Sequence, residues 1–158
     1  MSDPGRSRFP WRVPPAVWFF GHLAGGWALE RWKPLPLGWT SFDWQVGTAI
    51  VLFGLAAGFA GWGIVLFQVK KTTVVPFGTA SRLVVTGPFR LSRNPLYVAL
   101  VATLAAFGLL LDSGWYVILG GVLAIVLDRL VIREEERRLA ELFGEEYASY
   151  RKRVRRWL

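Results

Sequence analysis

The segment Gly87-Pro-Phe-Arg-Leu-Ser-Arg-Asn-Pro-Leu-Tyr97 joins polar side chains to the start of an apolar run. Asn94 suits an N-cap, where its side chain can accept from a free backbone N–H. Pro95 suits the first helical position. A helix start carries unpaired N–H groups and the positive end of the helix dipole, and Arg90 and Arg93 stand beside this one. The combination favours a carboxylate or a phosphate. The same residues would also make an ordinary capped helix whose arginines meet lipid headgroups.

A second group is Glu134-Glu135-Glu136, flanked by Arg133, Arg137 and Arg138. Carboxylates are unfavourable at a helix C-terminus, so the helix is expected to run on through them. Arginines three and four residues away can then pair with them. One reading is a solvated charged turn. The other is that one or two glutamates bind cationic or hydroxyl groups of a ligand. Asp128 and Arg129 lie deeper, inside an apolar block. Asp128 and Glu135 are seven apart and share a face, and Arg129 and Glu136 share the neighbouring one. Either a polar stripe leads from the membrane into a site, or these side chains snorkel outward. Gly61-Trp-Gly63 would let a helix or a ligand approach closely. His22 is read as an interhelical hydrogen-bonding residue.

The elements that must position these residues are apolar. Of 158 residues 53% are hydrophobic and 19% charged, where a soluble domain carries about 25% charged. The apolar residues fall in blocks: Val13–Leu29, Val46–Val69, Leu96–Leu111 and Trp115–Ile132. Asp112-Ser113-Gly114 is turn chemistry and makes the last two blocks a tight helical hairpin. The expected fold is therefore all-α: a single domain over 1–158, integral to the membrane, with about four short transmembrane helices in 13–132. A polar, Arg-rich amino-terminus of residues 1–12 precedes them and a helical tail, 133–158, follows. No small-x-small cleavage site follows the first block cleanly, so it is read as retained.

The net charge is +8. Lys and Arg sit at the chain ends and between blocks, where anionic headgroups lie. No basic groove or reading helix is evident, which excludes nucleic acid as partner. With no Cys and one His, no thiolate, disulfide or multi-His metal site is expected. Arg6, Arg8 and Arg12, then Lys70, Lys71, Arg82, Arg90 and Arg93, then the basic tail, share one side if there are four spans. Both termini and the loop 70–94 are then cytoplasmic.

Taken together the motifs resemble a known superfamily. Thr72-Thr-Val-Val-Pro76, Leu83-Val-Val-Thr-Gly-Pro-Phe-Arg90 and Arg93-Asn-Pro-Leu-Tyr97 resemble the core of the isoprenylcysteine carboxyl methyltransferases and phospholipid methyltransferases. Glu135-Glu136, Leu139, Phe143-Gly144, Tyr147, Tyr150 and Val154-Arg-Arg-Trp157 resemble its carboxy-terminal signature. The resemblance covers about residues 45–158. It implies a small polytopic membrane methyltransferase that uses S-adenosylmethionine and a lipid or other hydrophobic acceptor. It implies cofactor contacts at Arg93, Asn94, Pro95, Tyr97, Glu135 and Glu136, with Gly61 and Gly63 as a Gly-x-Gly match. Arg-Asn-Pro stands where the isoprenylcysteine enzymes have Arg-His-Pro, which weighs against a prenylcysteine substrate.

The residue chemistry agrees with that implication. Arg90 or Arg93 suits the cofactor carboxylate, Glu135 or Glu136 its ammonium or ribose hydroxyls, and Tyr97 its adenine. An amine or thiol acceptor needs a carboxylate to receive its proton, for which Asp128 and Glu135 are candidates. A carboxylate acceptor needs no base, and Arg129 could orient it. Two other readings compete: a sterol-reductase-like oxidoreductase using a nicotinamide cofactor, and a non-enzymatic lipid-binding module. Nicotinamide binding would mark the first, and indifference to loss of Glu135 and Arg93 the second.

Overall fold

The computed structural model describes residues 13–38, 42–69 and 83–158. The polar amino-terminus, Thr72–Pro76 and most of the loop expected to be cytoplasmic lie outside them. Among the described residues all regular structure is helical: α1 (Pro15–Trp32), α2 (Phe42–Val69), α3 (Pro95–Leu110), α4 (Gly114–Leu127) and α5 (Arg133–Arg153). A short 3-10 turn, Gly87–Arg90, precedes α3, and a π turn, Asp128–Ile132, joins α4 to α5.

The four expected apolar blocks are the first four helices. Their ability to cross a membrane differs. α2 is long and apolar enough, and so is the continuous helix from Gly114 to Arg153. That run has 40 residues and kinks at Gly144, whose φ of 47° and ψ of -120° are non-helical. α4, with 14 residues, and the π turn, with 5, together reach roughly 28 Å at 1.5 Å per residue, close to the ~30 Å of a hydrocarbon core. α3 is apolar but shorter, and α1 carries Glu30 and Arg31 in its last turn.

The packing is carried by small residues. α3 lies between α2 and α4, and α1 lies on α4. α2 meets its neighbours through Gln45, Ala49, Ala56 and Gly63, all buried, a spacing of four and seven that keeps one stripe inward. Its exposed face carries Trp44, Ile50, Val51, Leu55, Trp62 and Val65, which is the composition a lipid-facing surface needs. Gly26 lets α1 cross α4: a Cβ there would lie 2.6 Å from the Tyr116 ring. The hairpin turn forms as its residues dictate. Asp112 takes a positive φ of 49°, and its carboxylate accepts from Leu37 N–H at 3.1 Å.

Three local expectations are corrected. Asn94 occupies the N-cap position of α3 and Pro95 the first turn, but the Asn94 side chain makes no cap bond. Ser92 takes over part of that work, its hydroxyl accepting from Asn94 N–H at 3.0 Å. His22 bonds within its own helix, Nδ1 lying 2.7 Å from the Trp18 carbonyl oxygen. The third correction concerns helix faces. The π turn widens one turn by a residue, so Asp128 shares a partner with Glu136, eight residues on, rather than lining up with Glu135. Arg129, 65% exposed, reaches only the edge of this group, its Nε 3.9 Å from Asp128 Oδ2.

Candidate functional site

The helix does run through the three glutamates, and each meets a different environment. Glu134, its side chain 15% exposed, pairs with Arg137 and Arg138 along α5, the pairing that its spacing suggested. Glu136 and Glu135 turn inward.

Glu136 is the hub of an ion cluster. Arg93 donates to its Oε1 from Nε at 3.0 Å and from Nη2 at 2.7 Å. Arg156 donates to Oε2 from Nη2 at 2.5 Å and to Asp128 Oδ1 from Nη1 at 3.0 Å. The side chains of Arg93 and Glu136 are only 10% and 8% exposed. Burial alone would raise the Glu136 carboxyl, but hydrogen bonds from Arg156 and Arg93 outweigh it and hold it below the usual carboxylate range.

The tail returns to make this cluster. After α5 ends, Arg155 C=O accepts from Arg93 N–H at 2.9 Å. Arg156 C=O accepts from Ser92 Oγ at 3.2 Å and from Asn94 Nδ2 at 3.0 Å. Arg93 Nη1 also donates to the Arg151 and Val154 carbonyls. The side chains at 92–94 are thus fastened to the strap that follows α5.

Glu135, one residue before Glu136 on α5, meets Tyr97 instead. The Tyr97 hydroxyl sits 3.0 Å from both of its carboxylate oxygens. Burial pushes the Glu135 carboxyl up to about 7, against the pull of the Tyr97 hydrogen bond and the Arg138 charge. A carboxyl that changes protonation near neutrality, within a helix junction, is a candidate proton acceptor.

Tyr147 completes the neighbourhood. It is almost wholly buried, feels the charges of Glu136, Arg93, Arg151 and Arg156, and its hydroxyl has no hydrogen-bond partner. Burial pushes that hydroxyl up to about 12, so it stays a neutral donor. An orphaned buried donor is costly and fits a ligand that supplies an acceptor such as a carboxylate.

The structure therefore brings together Arg93, Asn94, Pro95, Tyr97, Asp128, Glu135 and Glu136. It sets Arg90 at the surface and Arg129 outside. In α2, Gly63 is buried against Leu96 and Pro88, a Cβ there lying 3.5 Å from Leu96, while Gly61 has open space. Arg156, Ser92 and Tyr147 were not singled out as site residues from sequence. Arg156 sits in the basic run Arg151 to Arg156, where its charge is indistinguishable from those of its neighbours. Among the described residues no group of His, Asp and Glu could hold a metal ion.

The profile of the phospholipid methyltransferase family matches residues 44–146. The chain belongs to that family. The match takes in α2, the loop, α3, α4 and the α5 glutamates. No curated protein and no solved structure matches the chain.

Proposed function

We propose that this membrane methyltransferase moves a methyl group from S-adenosylmethionine to an amine of a membrane lipid, at the boundary between bilayer and cytoplasm. The observation that carries the reading is Glu135, a buried carboxyl near neutrality held by Tyr97 where α3 begins and α5 leaves the apolar region. S-adenosylmethionine supplies a methyl on cationic sulfur, which becomes a neutral thioether as the acceptor nitrogen's lone pair takes the methyl.

The chain's own residues do the rest. Glu135 receives the proton that the nitrogen must lose, and Tyr97 keeps its carboxylate oriented. The buried Tyr147 hydroxyl donates to the cofactor carboxylate, and Asn94, Pro95 and Glu136 shape the same pocket. The Arg93–Glu136–Arg156 cluster fixes α5 against α3, so donor and acceptor meet in one geometry, an effect that can contribute roughly 7–11 kcal/mol. Arg90 and Arg129 lie where they can meet headgroup phosphates. Gly61 and Gly63 face the α2 side, and Gly63 sets how closely the loop approaches. In this reading all four apolar helices cross the bilayer and both termini face the cytoplasm.

The test is transfer of labelled methyl from S-adenosylmethionine to phosphatidylethanolamine vesicles. Glu135→Gln should lower kcat by about 10²–10⁴-fold while calorimetry shows cofactor affinity little changed. Native protein that neither binds the cofactor nor labels an amine lipid would remove the proposal.

A further inference from the structure

α1 contributes nothing to the site described so far, yet it holds one buried donor with no acceptor. The Trp18 indole Nε1 is fully buried and has no hydrogen-bond partner. The helix backbone gives it none: the Trp18 carbonyl is engaged by His22, and an indole nitrogen can only donate.

Its location follows from the packing. α1 and α4 run antiparallel, with Gly26 against Tyr116 and Gly25 against Leu119. Seven residues before Gly25 is Trp18, and seven after Leu119 is Val126, so equal rise along both helices sets Trp18 level with the last turn of α4. Trp18 packs on the cluster that contains Tyr97, Leu127, Val131 and Ile132, and Trp157 of the returning tail packs on it too. The orphaned donor thus lies at the end of the bundle where the methyl-transfer residues gather. At that level the π turn and the first residue of α5 carry Arg129 and Arg133, 65% and 53% exposed, which share the single Asp128 carboxylate with Arg156 and so leave a net positive charge. A donor and a positive field at the edge of the apolar region suit an anionic oxygen that is attached to acyl chains.

We propose that Trp18 donates its indole N–H to the phosphodiester oxygen of a membrane lipid seated between the amino-terminal end of α1 and the α4–α5 junction. The proposal deepens the lipid reading above by naming a headgroup contact, and it rests on that reading only for the identity of the substrate. The lipid's acyl chains would lie along α1 and its phosphate beside Trp18, which brings a headgroup amine toward Tyr97 and Glu135.

The test needs no methyl donor, so its outcome is separate from that of the transfer reaction. The detergent-solubilised full chain is melted over a titration of short-chain phosphatidylcholine, the matching diacylglycerol, or inorganic phosphate. The native protein should show a saturable rise in Tm with phosphatidylcholine and none with the other two. Trp18→Phe keeps the ring and loses only the donor, so it should fold and bind phosphatidylcholine roughly tenfold or more weakly. Trp44→Phe, on the exposed face of α2, should bind as the native chain does. Equal affinity of the native chain and Trp18→Phe would overturn the proposal. So would equal affinity for diacylglycerol, a Trp18-dependent shift with inorganic phosphate, or no shift at all.

Discussion

Glu135 and Glu136 are adjacent in the chain and electrostatically opposite. Glu136 is clamped by two guanidinium groups and is held ionised. Glu135 is buried with a phenol as hydrogen-bond partner and rises to about 7. The signs of their contributions to stability differ accordingly. Between its unfolded value near 4.5 and its folded value near 7, Glu135 keeps a proton in the native state that the unfolded chain has lost. It therefore makes stability fall as pH rises through that window. Glu136, held low, contributes stability above its unfolded pKa that is lost as pH falls through its folded pKa. In melts from pH 4.5 to 8, Glu135→Gln should lose the fall seen in the native protein; an unchanged profile would mean that Glu135 does not titrate there. The rate of methyl transfer should rise through about pH 7 as Glu135 becomes a competent base, opposite in direction to the stability trend.

Arg93 is the residue whose role the fold constrains most. Its fork serves Glu136 and two backbone carbonyls at once. Lys has one point of attachment and cannot reproduce that geometry. Arg93→Ala should cost about 3 kcal/mol, the lower end for removing one partner of a buried pair, because Arg156 still holds Glu136. Arg93→Lys should recover only a minor part of it. Chemical denaturation in detergent measures both, and a near-native Lys variant would show that the fork is not used.

At the scale of elements, the junction of α4 and α5 sets which glutamate faces which partner. Helix existence was legible from the sequence, because long apolar blocks bounded by Pro95 and by Asp112–Gly114 leave few alternatives. The inward turn of the glutamates was not. A regular helix would align Asp128 with Glu135, and the face argument from a 3.6-residue period depends on every turn being regular. The π turn breaks that assumption by one residue within Asp128–Ile132, and nothing in Asp-Arg-Leu-Val-Ile marks it. Inserting one alanine after Leu130 should add a residue that the π turn does not absorb and rotate α5 by about 100° relative to α4. Glu135 would leave Tyr97 and Glu136 would leave Arg156. The expected result is a helix content by circular dichroism close to native with methyl transfer and cofactor binding abolished. Retained activity would mean that the junction tolerates either register. The α1–α4 crossing makes a milder case: Gly26→Ala forces a Cβ onto Tyr116, and overpacking of that kind costs typically about 1–3 kcal/mol.

At the scale of the molecule, the site exists because the chain's last residues come back to its middle. The bonds from Arg155 and Arg156 to Ser92, Arg93 and Asn94 span more than sixty residues of sequence. Such long-range backbone contacts leave no periodicity to read, and so the basic run of the tail looked like headgroup-directed charge. Placing a stop after Arg153 tests what the strap does. It leaves every apolar helix intact, since α5 ends at Arg153. It removes the Arg156 guanidinium from Asp128 and Glu136, the acceptors of Arg93 N–H and Asn94 Nδ2, and Trp157 from the core cluster. Glu136 would keep Arg93, but Asp128 would retain only the more exposed Arg133 and Arg129. The truncated protein should still partition into membranes and stay helical, while its Tm falls by several degrees and S-adenosylmethionine no longer protects it against heat. Restoring the five residues with Arg156→Gln should recover the backbone contacts and part of the Tm. That variant separates a strap that works through its carbonyls from one that works through its charge: if Arg156→Gln binds the cofactor as the native chain does, the carbonyls suffice, and if it behaves as the truncation does, the charge on Glu136 and Asp128 is what holds the site in shape.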